Sequence, residues 1–277
     1  MLLFVDNLTN VDFSYLHPQR GLLGETWLAS TEMVGVLDQQ GMVCDFGIVK
    51  KTLRNWLDDE IDHRLAIPCK SPNLKYSKSN GRINLSWSYG GKTLQCSAPE
   101  QAIALVDAEE ITRESISQWA KQQLKPLLPT TLEELHLEFD VEAIDGDFYH
   151  YSHGLKKHDG NCQRIAHGHR SQLSVWRNDE QAPDLEALWA RTFTDIYIGT
   201  REDIAQQTDD NIRFAYTTSQ GAFELCMPTE DCYLIDSDTT VELIATHIAD
   251  ELKRQDPTCR YKVKAFEGIG KGAIVLR

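Results

Sequence analysis

Two stretches carry the clearest structural pattern in this chain, "FYHYSHGL" at residues 148–155 and "CQRIAHGHRSQLSVW" at residues 162–176. Both have the composition of strands, and the loop "KKHDGN" lies between them. In a helix, His167 and His169 would point away from each other, whereas on a strand residues two apart share a face. The pattern therefore predicts an antiparallel hairpin with both imidazoles on one face, and Gly168 between them permits close backbone approach.

Five of the nine histidines lie between residues 150 and 169, which favours a metal site over a set of solvated loop residues. A catalytic zinc usually has three protein ligands and one open position. His153 is the natural third ligand because the hairpin would place it opposite the pair, with His150 and His158 as competitors. We therefore predict a Zn²⁺ ion bound by His153, His167 and His169.

Cys162 precedes this histidine pair in a loop that contains glycine and asparagine. No Cys-x-x-Cys pair is present, so a structural cysteine-rich zinc site is not expected. Cys162 is a fourth ligand, a buried free thiol or a proton-transfer group, and a lone cysteine in such a loop beside a metal favours the last of these.

Composition restricts the class of protein. The chain has 277 residues, 41% apolar and 25% charged, with a net charge of −14, which argues against nonspecific nucleic-acid binding. No apolar run reaches the roughly 18 residues of a membrane helix, and the N-terminus lacks the basic lead of a signal peptide. Seven scattered cysteines then predict a reduced, cytoplasmic protein.

The chain also contains an internal repeat. "ITRESISQWAKQQLK" at 111–125 and "TTVELIATHIADELK" at 239–253 each read as a helix with a threonine N-cap and an acidic first turn. A proline and a strand-like run follow both helices, and a glutamate falls at nearly the same place in each run, Glu138 and Glu267.

The beginnings of the two halves match loosely as well, "DFSYLH" from Asp12 with "DFYHYSH" from Asp147. We therefore predict a tandem duplication with a first unit at residues 1–145 and a second unit at residues 146–277. A further stretch, 71–98, has the pattern of an inserted hairpin with a Gly-Gly turn.

These motifs resemble those of the 6-pyruvoyl-tetrahydropterin synthase and 6-carboxy-tetrahydropterin synthase family. "FYHYSHGL…NCQRIAHGH" is similar to its zinc motif with a catalytic cysteine. "GMVCDFGIVKKTLRNWLDDEIDHRLAIP" at 41–68 is similar to the segment that carries an Asp-His pair, here Asp62 and His63. "VKAFEG" resembles the segment with the glutamate that anchors the pterin, here Glu267, and the resemblance adds Thr240 as a substrate-binding residue.

The chain departs from the family in dividing these motifs between its halves. The first unit keeps Asp62 and His63 but reads "LLGETW" at the zinc position, while the second keeps the zinc motif, Cys162 and Glu267 but lacks an Asp-His pair. In the family the site lies between subunits, so the two units together would form one complete site and lose the other.

The resemblance implies an α+β tunnelling fold. Each unit would be an antiparallel four-stranded sheet with two helices on one face, and the units would join into a barrel as a homo-oligomer. It also implies a zinc-dependent lyase acting on 7,8-dihydroneopterin triphosphate, with Cys162 and His63 transferring protons and Asp62 orienting His63. The triphosphate would need cations, and candidates fall in two clusters: Lys70, Lys75, Lys78 and Arg82, and Lys156, Lys157, Arg164 and Arg170.

We favour the 6-carboxy product of the queuosine route, with the 6-pyruvoyl product as the alternative. A zinc-stabilised binding protein without catalysis is the non-enzyme alternative, and another tunnelling-fold enzyme, similar to urate oxidase or a cyclohydrolase, would share the fold. A zinc hydrolase is weaker, since His-Glu-x-x-His is absent.

Overall fold

Two α+β units follow one another in the computed structural model, which describes residues 1–277. The elements of the first unit are β1 (Leu2–His17), β2 (Gly21–Gly35), α1 (Phe46–Glu60), β3 (Leu65–Pro68), β4 (Leu74–Ser79), β5 (Arg82–Tyr89), β6 (Lys92–Pro99), β7 (Ile103–Val106), α2 (Arg113–Leu124) and β8 (Leu132–Asp140). Those of the second are β9 (Phe148–His153), β10 (His167–Arg177), β11 (Glu180–Gln181), α3 (Pro183–Phe193), β12 (Ile196–Thr200), β13 (Ile204–Gln207), β14 (Asn211–Thr218), β15 (Gly221–Pro228), β16 (Cys232–Ile235), α4 (Val241–Gln255), β17 (Tyr261–Phe266) and β18 (Gly272–Leu276).

The main sheet of each unit is mixed, so the predicted four-stranded antiparallel sheet is wrong in strand number and direction. The first unit has the order β7-β3-β1-β2-β8, and the second has β16-β12-β9-β10-β17-β18 with β11 paired to β10. β3 runs parallel to β1 and therefore opposite in direction to β2, the strand that precedes α1. The α+β class itself is confirmed.

Both helices of the first unit pack on the same face of its sheet. Leu53 of α1 and Ile116 of α2 lie in one buried cluster with Val11 and Phe13 of β1. The predicted threonine caps are confirmed, since Thr112 and Thr240 are the N-caps of α2 and α4. None of the four helices combines the length and hydropathy that a membrane span requires.

A third sheet joins the two units. Its order is β13-β14-β15-β6-β5-β4, and β15 of the second unit pairs with β6 of the first. The predicted Gly-Gly turn is present at Gly90 and Gly91, both with positive φ. The stretch 71–98 is not an insertion in one unit, however, because β13–β15 repeat it in the other. The inner face of this sheet forms one buried core with residues of both units.

The β1–β2 hairpin packs directly against the β9–β10 hairpin at two glycines. A Cβ atom built on Gly24 would lie 1.8 Å from the Tyr151 carbonyl oxygen, and one on Gly168 would lie 2.2 Å from the same atom. Only glycine fits at either place. Beside them, Ser14 and Ser152 hydrogen-bond through their hydroxyls at 2.8 Å. The close approach predicted for Gly168 is therefore an approach between the two units.

Strand registers define which residues of the units correspond. Ser14 pairs with Gly24, and Ser152 pairs with Gly168, so the two glycines are equivalent. Counted from them, Asp12 corresponds to His150 and not to Asp147. The loose sequence match at the start of the units was therefore displaced along the strand.

The two glutamates noted in the sequence are not equivalent either. Phe139 pairs with Ala29 in the first unit, and Ala265 pairs with Leu173, the residue equivalent to Ala29, in the second. Glu267 therefore corresponds to Val141, a position without a carboxylate.

Candidate active site

Three histidines converge at the end of the β9–β10 hairpin. His153 is the direct cross-strand partner of His167, and His169 follows two residues further along β10. All three are buried, and one ligand atom from each lies within 4.8 Å of the others. Of the sequence competitors, His150 points to the Gly24 carbonyl and His158 is exposed. The ligand role of the three stays a prediction.

Hydrogen bonds fix the tautomers of two of these rings. Nδ1 of His153 donates to the Thr239 carbonyl at 2.9 Å, and Nδ1 of His167 donates to the Arg164 carbonyl at 2.9 Å. A carbonyl only accepts, so both rings carry their proton on Nδ1 and present a lone pair on Nε2. Burial, reinforced by the neighbouring histidines, holds the pKa of both imidazoles well below the usual range.

The cluster fits a metal ion. Nε2 of His153 and both ring nitrogens of His169 are buried without a hydrogen-bond partner, which is costly for polar atoms. Neutral imidazoles are suitable zinc ligands, and one ion bound at Nε2 of each ring would satisfy Nε2 of both His153 and His169. Three protein ligands leave the fourth position open.

The first unit contributes the Asp62–His63 pair. Both residues follow the C-terminus of α1, and Asp62 Oδ2 lies 2.5 Å from Nδ1 of His63. His63 has a left-handed backbone, with φ 56°, and its N–H donates to the Asp12 carbonyl at 2.7 Å. A non-glycine residue held in this region is strained, and such strain concentrates at functional sites.

Cys162 meets this pair across the boundary between the units. It lies in a short 3₁₀ turn, Gly160–Gln163, and His63, Cys162 and His167 bring ligand atoms within 4.8 Å of one another. The rings of His63 and His167 are 4.8 Å apart between centroids. Burial opposes the charging of His63, but its hydrogen bond to Asp62 and the nearby Cys162 prevail and raise its pKa to about 10.

Glu267 lies at the rim of the same site. It follows β17 in a tight turn in which its N–H donates to the Lys271 carbonyl at 3.0 Å. Its Oε1 is 4.0 Å from Nε2 of His169, and its side chain is 25% exposed, so a ligand can reach it. Glu138, by contrast, is exposed on β8.

Thr240, the other predicted substrate contact, uses its hydroxyl to accept the Leu243 N–H at the start of α4. The residue before it, Thr239, is fully buried and holds His153 through its carbonyl. Sequence reasoning missed Thr239, because a hydrogen bond accepted by a backbone carbonyl leaves no signal in residue type.

Arg164 is the cation that the fold brings to the site. Its Nη1 donates to the Asp62 carbonyl at 3.3 Å, and burial together with the nearby Arg64 lowers its pKa to about 10. Other candidates for phosphate binding are engaged elsewhere: Lys70 with Asp107, Lys78 with Glu100, and Lys156 and Lys157 with Glu202. Arg64 is likewise paired with Glu60 at 3.2 Å, which leaves Arg164 as the guanidinium best placed for an anion.

Asp12 was also missed as a site residue, although it lies 3.2 Å from Nδ1 of His169. Burial alone would raise the pKa of this carboxyl, but His169, Lys271 and the Thr26 hydroxyl hold it well below the usual range. A lone aspartate in a strand of the other unit gives no sequence signal for such a contact.

The matching positions of the first unit cannot form a metal site. The residues equivalent to His153, His167 and His169 are Tyr15, Leu23 and Glu25. Leu23 cannot ligate, and burial raises the pKa of Glu25 to about 7. From "LLGETW" we inferred that the first unit lacks the metal-binding motif. The structure agrees, because the histidine cluster lies in the second unit and the equivalent positions of the first unit contain no histidine.

A separate open groove lies on the third sheet, lined by residues such as Tyr76, Asn84 and Arg213. It contains neither of the candidate metal-binding clusters, so the candidate active site is identified by its residue chemistry and not by the size of a groove.

Two repeated α+β units that bury a three-histidine cluster beside a Cys-His-Asp set define the class of protein. The chain belongs to the 6-pyruvoyl tetrahydropterin synthase family, whose family model matches residues 11–142 and, a second time, residues 145–277. It is therefore a tandem-duplicated member of that family.

Solved structures were compared as well. The 6-pyruvoyl tetrahydropterin synthase of Plasmodium vivax is 20% identical with a TM-score of 0.41, covering 50% of this chain and 90% of that one. The enzyme of Plasmodium falciparum is 18% identical with a TM-score of 0.42 and the same coverage. No curated protein sequence matches the chain.

Proposed function

We propose that this chain is a zinc-dependent pterin lyase that acts on 7,8-dihydroneopterin triphosphate and releases 6-carboxy-5,6,7,8-tetrahydropterin. The observation that carries the proposal is the meeting of two partial sites. Three buried histidines and Cys162 come from the second unit, and Asp62 and His63 come from the first. We also propose the division into units at residues 1–145 and 146–277.

A zinc ion held by His153, His167 and His169 would supply a Lewis acid for the oxygens of the substrate side chain. The chain's own groups would move the protons. Cys162 takes a proton from the pterin side chain, and His63, oriented by Asp62, transfers the second proton. Cys162 and His63 lie in one cluster, so the same substrate side chain can reach both groups.

The orientation of the substrate would depend on side chains at the rim of the candidate site. Glu267 accepts two hydrogen bonds from the 2-amino and ring N–H groups of the pterin, as a carboxylate can do with both oxygens. Arg164 binds the triphosphate, because a planar guanidinium group suits phosphate oxygens. The free cysteines are consistent with a reducing, cytoplasmic setting.

The product distinguishes the two routes. A 6-carboxy product has lost a two-carbon fragment from the side chain, whereas a 6-pyruvoyl product retains all three carbons. With zinc-loaded protein and dihydroneopterin triphosphate, we expect mass spectrometry to detect the 6-carboxy product. The Cys162→Ser variant should keep its zinc and turn over about 10²- to 10⁴-fold more slowly.

Cys226→Ser is the matched control, since Cys226 lies on β15 in the third sheet and should leave turnover unchanged. A 6-pyruvoyl product would reject the carboxy route. An unchanged substrate, with zinc bound at one ion per chain, would reject the synthase function and leave a zinc-stabilised binding protein.

We further propose that the chain forms a homo-oligomer that closes a barrel. β8 and β18 are edge strands with unpaired backbone groups, and Ile274 and Leu276 on β18 are 61% and 68% exposed. Sedimentation should therefore give a species larger than the 31.5 kDa chain, and a monomer at micromolar concentration would contradict this proposal.

A further inference from the structure

A buried carboxylate in the first unit contacts the metal cluster of the second. Asp12 lies on β1, and its side chain is only 3% exposed. A buried charge is costly unless it is paired and hydrogen-bonded. The proposed proton transfers and substrate contacts do not use this residue, so its position requires a separate explanation.

The carboxylate of Asp12 has three partners. Oδ1 accepts the Thr26 hydroxyl at 2.6 Å and lies 3.2 Å from Nδ1 of His169. Oδ2 accepts Nζ of Lys271 at 3.3 Å, and that lysine also lies 3.8 Å from Glu267. The His169 contact is within ion-pair distance but outside hydrogen-bond angles, and site contacts often become aligned only when a ligand is bound.

The backbone of the same residue holds the proton-transfer pair. Its N–H donates to Oδ1 of Asp62 at 2.8 Å, and its carbonyl accepts the His63 N–H at 2.7 Å. Asp12 therefore contacts both His169 from the second unit and Asp62 and His63 from the first.

In the second unit, the position equivalent to Asp12 contains a histidine, and in the first unit the position equivalent to His169 contains a glutamate. His150 corresponds to Asp12, and Glu25 corresponds to His169, with His150 Nδ1 3.7 Å from Glu25 Oε2. Both places thus contain a carboxylate and an imidazole, but with the types exchanged. Only the arrangement with Asp12 directs its histidine toward two further imidazoles.

We propose that Asp12 is a positioning residue that orients His169 as a metal ligand and joins the metal centre to the Asp62–His63 pair. A carboxylate at Nδ1 fixes the proton there and leaves the Nε2 lone pair for the ion. This inference rests on the proposed function, because it requires a metal ion at the three histidines. It concerns the binding of that ion and not the turnover of substrate.

Zinc affinity tests this role. The Asp12→Asn variant preserves the shape of the side chain and both backbone hydrogen bonds but removes the charge. In a competition with a chromogenic chelator, we expect it to bind zinc about 10- to 100-fold more weakly than the wild type. Nitrogen NMR of labelled histidine should also show that zinc-loaded wild-type His169 carries its proton on Nδ1.

His150→Gln, at the equivalent position of the other unit, is the control and should bind zinc as the wild type does. A zinc affinity of Asp12→Asn within threefold of the wild type would overturn the proposal, as would a variant that loses folding stability but not zinc affinity.

If Asp12→Asn does not fold, Thr26→Val provides a second test, because it removes the hydroxyl that holds Oδ1 and should also weaken zinc binding. An unchanged zinc affinity in Thr26→Val would overturn the proposal. Wild-type protein that binds zinc without turnover would reject the proposed reaction and leave this role intact.

Discussion

The His167→Ala variant is expected to lose its zinc and, with it, measurable turnover. His167 lies between the other two ligands and Cys162, so its removal affects both three-residue clusters. The loss of a direct ligand should cost more affinity than the roughly 100-fold attributed to an outer hydrogen bond. Metal analysis of purified protein and a chelator competition would measure both stoichiometry and affinity.

His158→Ala is the control, because this exposed histidine was a sequence competitor for the same role and lies outside the cluster. It should keep one zinc per chain. Full zinc stoichiometry in the His167→Ala protein would show that the ion is held by other residues.

The second large effect is expected at His63. In His63→Asn the amide tolerates the left-handed backbone that this position requires, so the turn after α1 should persist. We expect kcat/KM to fall about 10²- to 10⁴-fold while zinc stays bound. Since the His63 pKa is raised to about 10, wild-type activity that needs the imidazolium should be present at neutral pH and decline as pH rises through about 10.

Asp195 is the matched control, because it also has a left-handed backbone, with φ 58°, and lies in the corresponding turn of the second unit. Asp195→Asn should leave kcat/KM unchanged. A His63→Asn enzyme with wild-type kcat/KM would contradict the proton-transfer role.

One chain contains both His63 and the histidine cluster, so co-expression of His63→Asn and His167→Ala chains should not restore activity. Restored activity would mean that the functional site forms between chains, with His63 from one and the histidine cluster from another. The structure favours the intrachain site, since ligand atoms of His63 and His167 lie within 4.8 Å of each other in a single chain.

The sequence predicted much of this arrangement because some physical signals are local. Alternation around His167 and His169 indicated a strand, and a strand places residues two apart on one face. The threonine caps of α2 and α4 are similarly local, since a cap contacts N–H groups only two or three residues away.

The errors arose where the signal was not local. The strand order, the parallel pairing of β3 with β1 and the third sheet depend on contacts between segments far apart in the chain. The supposed equivalence of Glu138 and Glu267 failed for a related reason, because pairing register is set by the partner strand and not by similar residues in two runs.

Local patterns in the sequence were enough to predict the α+β class, the duplication and the residue types available for a metal and for proton transfer. Which of these residues meet depends on the folded chain. Gly24 and Gly168 allow the two hairpins to touch, and that contact brings Asp12 to His169 and His63 to Cys162. Such contacts depend on close packing between distant segments, and packing is a property of the folded chain that no short stretch of residues contains.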